Sequence, residues 1–298
     1  MNFTFSQKNI GIIYALCAFS LWGILPVYFK SLQHVNPAEL IAHRIIWSAA
    51  LLLILLYFSH SAKEIKKCFA SKKIVFALLV TSILISSNWL TYVWTISNNK
   101  IAESSLGYFI NPIINIIFGM IFLKEKSSFL EKIAIGIASF AIILEIVNFG
   151  KIPYAAFILA VTFALYGLIR KKIGVSSFAG FFVETSLLTP AAICYIIYLT
   201  RIDALTASFS SDIFLLLLAG PATVVPLLFF TSAASRIKLG TIGFIQYLSP
   251  TITFSLAILV YNEPLSNQRA ITFTLIWISL IFVIANTIKR SKKRKHIC

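Results

Sequence analysis

Apolar residues run in long, nearly unbroken blocks along this chain, with neither the alternation of a half-buried strand nor the narrow stripe of a soluble helix. Ten blocks predict ten helices, at roughly 9–29, 37–58, 74–96, 104–123, 132–147, 154–170, 178–199, 212–234, 241–261 and 268–287. Most approach the twenty or so residues that cross the hydrocarbon core of a bilayer. Only 148–153 separates the fifth block from the sixth, so the pattern demands a tight turn there.

Composition supports the membrane reading. Hydrophobic residues make up 59% of the 298 and charged residues 12%, where a soluble domain carries about a quarter charged. The charges also alternate between the two sides. With the N-terminus inside, 20 of the 26 basic residues fall in inside segments and five outside, with Arg44 within a span. This positive-inside bias predicts that both termini are cytoplasmic. The net charge of +16 is then explained by basic loops that set orientation and touch anionic lipid, without a nucleic-acid partner. The first block has one basic residue before it and no convincing small-x-small cleavage site after it, so it is read as a retained span. Four scattered cysteines, Cys17, Cys68, Cys194 and Cys298, show no metal or disulfide spacing.

A pattern within the blocks is repeated. Lys100, Tyr108, Asn111, Pro112, Asn115 and Glu125 are echoed 138 residues later by Lys238, Gln246, Ser249, Pro250, Thr253 and Glu263. The chain therefore divides into two related halves, 1–148 and 149–288, followed by a basic tail, 289–298. Five spans per half makes the halves inverted relative to each other. Inverted repeats place a solute site at their interface near the midplane, which points to a transporter.

Ser104, Tyr108, Asn111 and Asn115 share one face of the fourth helix, and Gln246, Ser249 and Thr253 share one face of the ninth. Such faces turn inward, either as hydrogen-bonding glue between helices or as the lining of a wet cavity. Pro112 and Pro250 each remove a backbone bond and permit a kink. In the third span Asn88 and Tyr92 share a face beside Trp89, a set suited to a flat or cationic solute, or else to an interfacial aromatic belt. Arg44 and Glu184 lie about two turns into the second and seventh helices, equivalent places in the two halves. A contact between them is expected, or a proton-coupling role for Glu184, or snorkelling of Arg44 to the surface. No Walker A loop, GxSxG or HExxH is present, and the four histidines do not cluster. The chain is not read as an enzyme, and no cofactor or metal is expected.

Several strings together carry a family resemblance: LWGILPVYFK (21–30), HRIIWS (43–48), SNWLTYVW (87–94), ESSLGYFINP (103–112), YGLIRKK (166–172), VETSLLTP (183–190), AGPATVVPLLFFTSAASRIKLG (219–240) and GFIQYLSPT (243–251). The chain resembles the EamA branch of the drug/metabolite transporter superfamily, and most closely its RarD subgroup. That resemblance implies an all-α polytopic membrane protein with ten transmembrane helices in two inverted five-helix repeats around a central cavity, the fifth and tenth helices peripheral. It further implies a bacterial inner-membrane permease for a small organic solute. On this chain the matching cavity or gate positions are Asn88, Trp89, Tyr108, Asn111, Tyr166, Glu184, Gln246 and Tyr247. With the residues read above, the full candidate set adds Tyr92, Asn115, Thr253 and Arg44.

Overall fold

The computed structural model describes residues 6–58, 61–98, 100–150, 152–260 and 267–295. Among them every regular element is an α-helix. α1 (Gln7–Ser31) begins where Ser6 Oγ accepts the Asn9 N–H at 3.3 Å. α2 (Pro37–Phe58) opens on a proline, whose missing N–H costs nothing in a first turn, with Asn36 Oδ1 accepting from Ala38 N. α3 (Ala62–Ala70) is short, and α4 (Lys72–Ser97) and α5 (Ile101–Phe122) follow. A Ser128–Glu131 capping box starts α6 (Phe129–Phe149). Gly150, at φ +71°, ends it in the left-handed region, and α7 (Tyr154–Ile173) begins four residues later. This is the tight turn the sequence demanded. α8 (Ser177–Arg201) and α9 (Phe209–Arg236) precede two short helices, α10 (Leu239–Gln246) and α11 (Leu248–Leu259), and α12 (Asn267–Lys295) ends the described chain.

Among the described residues six helices, in α1, α2, α4, α5, α8 and α9, are long and apolar enough to cross a membrane, and α12 adds a shorter apolar stretch, Ala270–Ala285. Two features depart from the expected ten unbroken spans. α3 occupies what was read as a basic loop: Ile65 and Cys68 are buried against Leu78, Ala179 and Val183, while Lys63, Lys66 and Lys67 stay exposed. The ninth span is broken at Tyr247. Pro250 cannot donate to the Gln246 carbonyl and its ring crowds that oxygen, so the helix stops one turn earlier and restarts. Pro112, its repeat-mate, lies inside α5, which continues through it as one helix. Glu263 lies outside the described residues.

Helices of the first half pack mainly on helices of the second. α5 packs on α7 and α10, α1 on α9 and α11, α4 on α7 and α8, and α2 on α8 and α9. α12 packs on α6, to one side. The middle of the bundle is filled with rings from α1, α7 and α9. Phe163 and Phe230 are 4.8 Å apart between centroids, with Phe19, Trp22 and Tyr166 around them. Aromatic pairs at this spacing pack more tightly than area alone would give. Small residues let helices close on one another: a Cβ on Gly243 of α10 would lie 2.6 Å from the Pro112 carbonyl of α5.

Candidate functional site: a buried polar seam between the halves

The polar faces of α5 and α10 meet. Asn111 Nδ2 donates to the Ala160 carbonyl of α7 at 2.6 Å, and its Oδ1 accepts from Asn115 Nδ2 at 3.0 Å and Gln246 Nε2 at 2.5 Å. Asn115 Nδ2 also donates to Gln246 Oε1 at 2.8 Å. All three side chains are buried, and only Asn115 Oδ1 lacks a partner. In this structure the three amides bond one another and the α7 backbone, and little of their surface is exposed. Three other candidates also tie helices together, Asn88 and Thr253 from half-buried positions. Asn88 Nδ2 ties α4 to α7 through the Leu159 carbonyl at 2.8 Å and Thr162 Oγ1 at 3.0 Å. Thr253 Oγ1 donates to the Gly23 carbonyl at 3.0 Å, and buried Tyr247 donates to the Phe109 carbonyl at 3.4 Å.

Glu184 does not meet Arg44. Its Oε1 lies 3.6 Å from Arg170 Nε and accepts from Thr81 Oγ1 at 2.5 Å, while Oε2 accepts from Tyr166 at 3.3 Å. The reason is geometric. Glu39, near the start of α2, holds Thr206 and Ala207 just before α9, whereas Ser176, just before α8, bonds to Glu64 of α3. α2 and α8 are therefore antiparallel, and two turns in from each start are different levels. Arg170, the last residue of the sixth predicted helix, is buried, with Nη2 donating to the Ser176 and Ser177 carbonyls. Nothing in its local sequence separates it from Lys171 and Lys172; only Glu184, on the next helix, distinguishes it. Beside Glu184 a cavity of about 10 Å³, room for roughly one water, is lined by Ser48, Ile85, Trp89 and Thr185 among others. Tyr166 has no exposed surface, so the expected central cavity is closed at this level.

Arg44 gathers the remaining candidates. Its guanidinium carbon sits 4.4 Å from the Trp89 ring centroid and 5.1 Å from that of Phe29, and Nε donates to Thr223 Oγ1 of α9 at 3.0 Å. Tyr92 packs edge-on to Phe29 at 5.9 Å and to Tyr108 at 5.8 Å. The residue is buried, which contradicts the snorkelling reading. A cation in the middle of a membrane helix costs roughly 2.5–3.5 kcal/mol on insertion scales. Cation–π contact with Trp89 offsets part of that. Thr223, invisible as a candidate in the sequence, completes this group.

The opposite end of the bundle is held by charge at helix termini. Glu125, in the turn after α5, accepts from the backbone N–H groups of Leu239 and Gly240 at 2.9 and 3.0 Å, capping α10. Lys171 Nζ donates to the Ala234 and Ile237 carbonyls at the end of α9 and lies 3.7 Å from Glu125 Oε1. Lys238 Nζ donates to the Lys126 carbonyl at 2.9 Å. Four elements are thus joined by an anion on a helix N-terminus and a cation on a helix C-terminus.

A bundle of long apolar helices around a buried polar seam is that of a multi-pass membrane protein. The EamA-like transporter family matches residues 9–147. A protein named "Uncharacterized transporter" from Vibrio cholerae is 40% identical over 94% of this chain and 93% of its own length. "Protein RarD" of Salmonella typhi is 38% identical over 97% and 99%. A "Chloramphenicol-sensitive protein RarD" of Pseudomonas aeruginosa is 24% identical over 91% and 92%. One crystal structure superposes with a TM-score of 0.70 over 93% of this chain and 98% of that one, at 16% identity, a likeness of fold. The protein is a membrane transporter; it belongs to the RarD-type branch of the EamA family within the drug/metabolite transporter superfamily.

Proposed function

We propose that the chain is a secondary transporter that moves a small organic solute by alternating access between two inverted five-helix repeats, 1–148 and 149–288. The carrying observation is the symmetry of the helix contacts. When α10 and α11 are counted as one span and α3 is set aside, advancing every span by five turns α5–α7 into α11–α1. The same step turns α1–α9 into α7–α4, and α2–α9 into α8–α4. The pairs α2–α8, α5–α10 and α6–α12 map onto themselves. An odd number of spans per repeat makes the repeats antiparallel, and inverted repeats generate two mirror-related states.

The two ends of the bundle differ in a way that fits one such state. The Glu125 end is latched. At the other end, Tyr108 shares the inward face of Asn111 and Asn115 yet keeps 39% of its surface free, so that surface opens into the bundle. Trp89, Tyr92, Tyr108 and Arg44 are the residues a solute would meet there. Asn88, Asn111, Asn115, Tyr166, Gln246, Tyr247 and Thr253 form the closed seam beneath, to be rearranged in the other state. The positive-inside bias supports cytoplasmic termini in a bacterial inner membrane, which puts the Glu125 end inside. Export is the direction the RarD resemblance favours.

Solute flux in proteoliposomes tests this reading. Saturable, protein-dependent flux of an organic solute is expected, with accumulation against a gradient that an uncoupler abolishes. Flux without accumulation would make the protein a passive facilitator. No flux across a broad solute panel would leave a membrane scaffold or sensor.

A further inference from the structure

We infer that the open end of the bundle holds a subsite for the carboxylate of a flat organic anion, with Arg44 as the group that binds it. This rests on the transport reading and narrows its solute class. Arg44 is a buried cation, and no acidic side chain among the described residues forms an ion pair with it. The nearby acids are committed elsewhere. Glu39 accepts from Thr206 and Ala207, Glu103 from Ala155 N, and Asp212 faces His34 at 3.0 Å. Glu184 faces Arg170. A buried charge without an acidic partner is a functional position by default.

The surroundings fix the guanidinium in a presenting geometry. Trp89 and Phe29 hold it by their rings, and Thr223 takes Nε. Ring contacts of this kind leave the in-plane Nη edge as the part suited to a two-oxygen anion, the fork that matches carboxylate. Tyr28 and Tyr92 both pack on the Phe29 ring that holds the guanidinium, and Tyr108 packs on Tyr92. Tyr28 spends its own proton on the Leu215 carbonyl at 2.8 Å. The walls that Tyr92 and Tyr108 provide are aromatic edges suited to a flat apolar body. Arg44 follows the start of α2 by seven residues, roughly 10 Å along the helix. That is within reach of a solute entering beside Tyr108.

Binding to the purified full-length protein in detergent, measured by calorimetry, tests this with benzoate as the probe. Benzamide and benzylamine serve as neutral and cationic shape-mates, and inorganic phosphate as the competing anion. Benzoate is expected to bind at least about tenfold tighter than benzamide, the worth of a charge-assisted bond. Benzylamine and phosphate are expected not to compete. Arg44→Gln should lose at least about tenfold in benzoate affinity, and Thr223→Val a smaller factor. Equal affinity for benzamide or benzylamine overturns the inference, as does phosphate binding in place of benzoate or an unchanged Arg44→Gln protein. If Arg44→Gln fails to fold, the shape-mate series on the wild type and Thr223→Val still decide. Benzoate binding without flux in proteoliposomes counts against transport and leaves the subsite standing. Saturable flux of neutral solutes with no preference for carboxylates does the reverse.

Discussion

Arg170 lies across Gly180: a Cβ added to that glycine would sit 1.6 Å from Nη1 and 2.4 Å from the guanidinium carbon. The absent side chain on α8 is what lets a cation from the end of α7 lie flat against the helix backbone and come within 3.6 Å of Glu184. Gly180→Ala should therefore evict the guanidinium and leave Glu184 buried with only Thr81 and Tyr166. Breaking a buried pair in this way costs about 3–5 kcal/mol. In an Arg170→Met, Glu184→Gln background the same glycine change should cost under about 1 kcal/mol, because nothing is left to evict. Unfolding in mixed micelles measures both. Equal losses in the two backgrounds would show that Gly180 matters for helix packing and not for the ion pair.

The three amides of the seam stand or fall together. Gln246→Leu removes partners from both Asn111 and Asn115 at positions with no access to water. Interhelical bonds in membranes average about 0.6 kcal/mol and reach roughly 1.7, so two of them with their stranded groups should cost about 1–3 kcal/mol. Adding Asn115→Leu should cost less than its separate effect, since its amide is already without Gln246. Strict additivity in the same unfolding assay would mean that the cluster is not coupled.

Much of this arrangement was legible before any coordinates. The apolar blocks set the helices because their length is imposed by the bilayer, and α2 matches its expected span at both ends. The polar stripe on α5 and its echo on α10 found each other because a helix face has a fixed period and polar groups shun lipid. What stayed hidden is what depends on level and neighbour. Equivalent places in inverted repeats put Arg44 and Glu184 at different depths, so the expected contact became two separate sites. Arg170 looked like its lysine neighbours until Gly180 gave it a bed. α3 was missed because nine residues with three lysines read as a loop; two buried positions, Ile65 and Cys68, make it a helix lying against the bundle. Pro250 signalled a distortion, and the helix breaks at Tyr247 just before it, whereas α5 continues through Pro112.

α3 offers a direct reading of orientation and of a buried thiol. Lys67 is exposed while its neighbour Cys68 faces the core, and burial pushes the Cys68 thiol above its ordinary range. A raised value makes the reactive thiolate scarcer at neutral pH, and labelling should accelerate as pH rises toward it. In inverted vesicles a membrane-impermeant maleimide should modify Lys67→Cys rapidly and native Cys68 slowly. In right-side-out vesicles neither should react. Rapid labelling of Lys67→Cys from the outer face would reverse the assigned topology, and equal rates at the two positions would contradict the burial of Cys68.

Glu125 should control how often the latched end opens. Its carboxylate satisfies two N–H groups at the start of α10 and neighbours the Lys171 ammonium that holds the end of α9. Loss of a helix cap costs about 0.5–2 kcal/mol. A latch weakened by one or two kcal/mol shifts the ratio of open to closed by roughly 5- to 30-fold. Gly240→Cys reports that opening, since a Cβ there meets nothing closer than Glu125 Oε2 at 3.7 Å. In the Glu125→Ala background this cysteine should react with maleimide faster by about that factor. Glu125→Gln, which keeps one acceptor oxygen, should fall between. Unchanged labelling in Glu125→Ala would mean that α10 is held by its packing against α5 alone, with the carboxylate a passive cap.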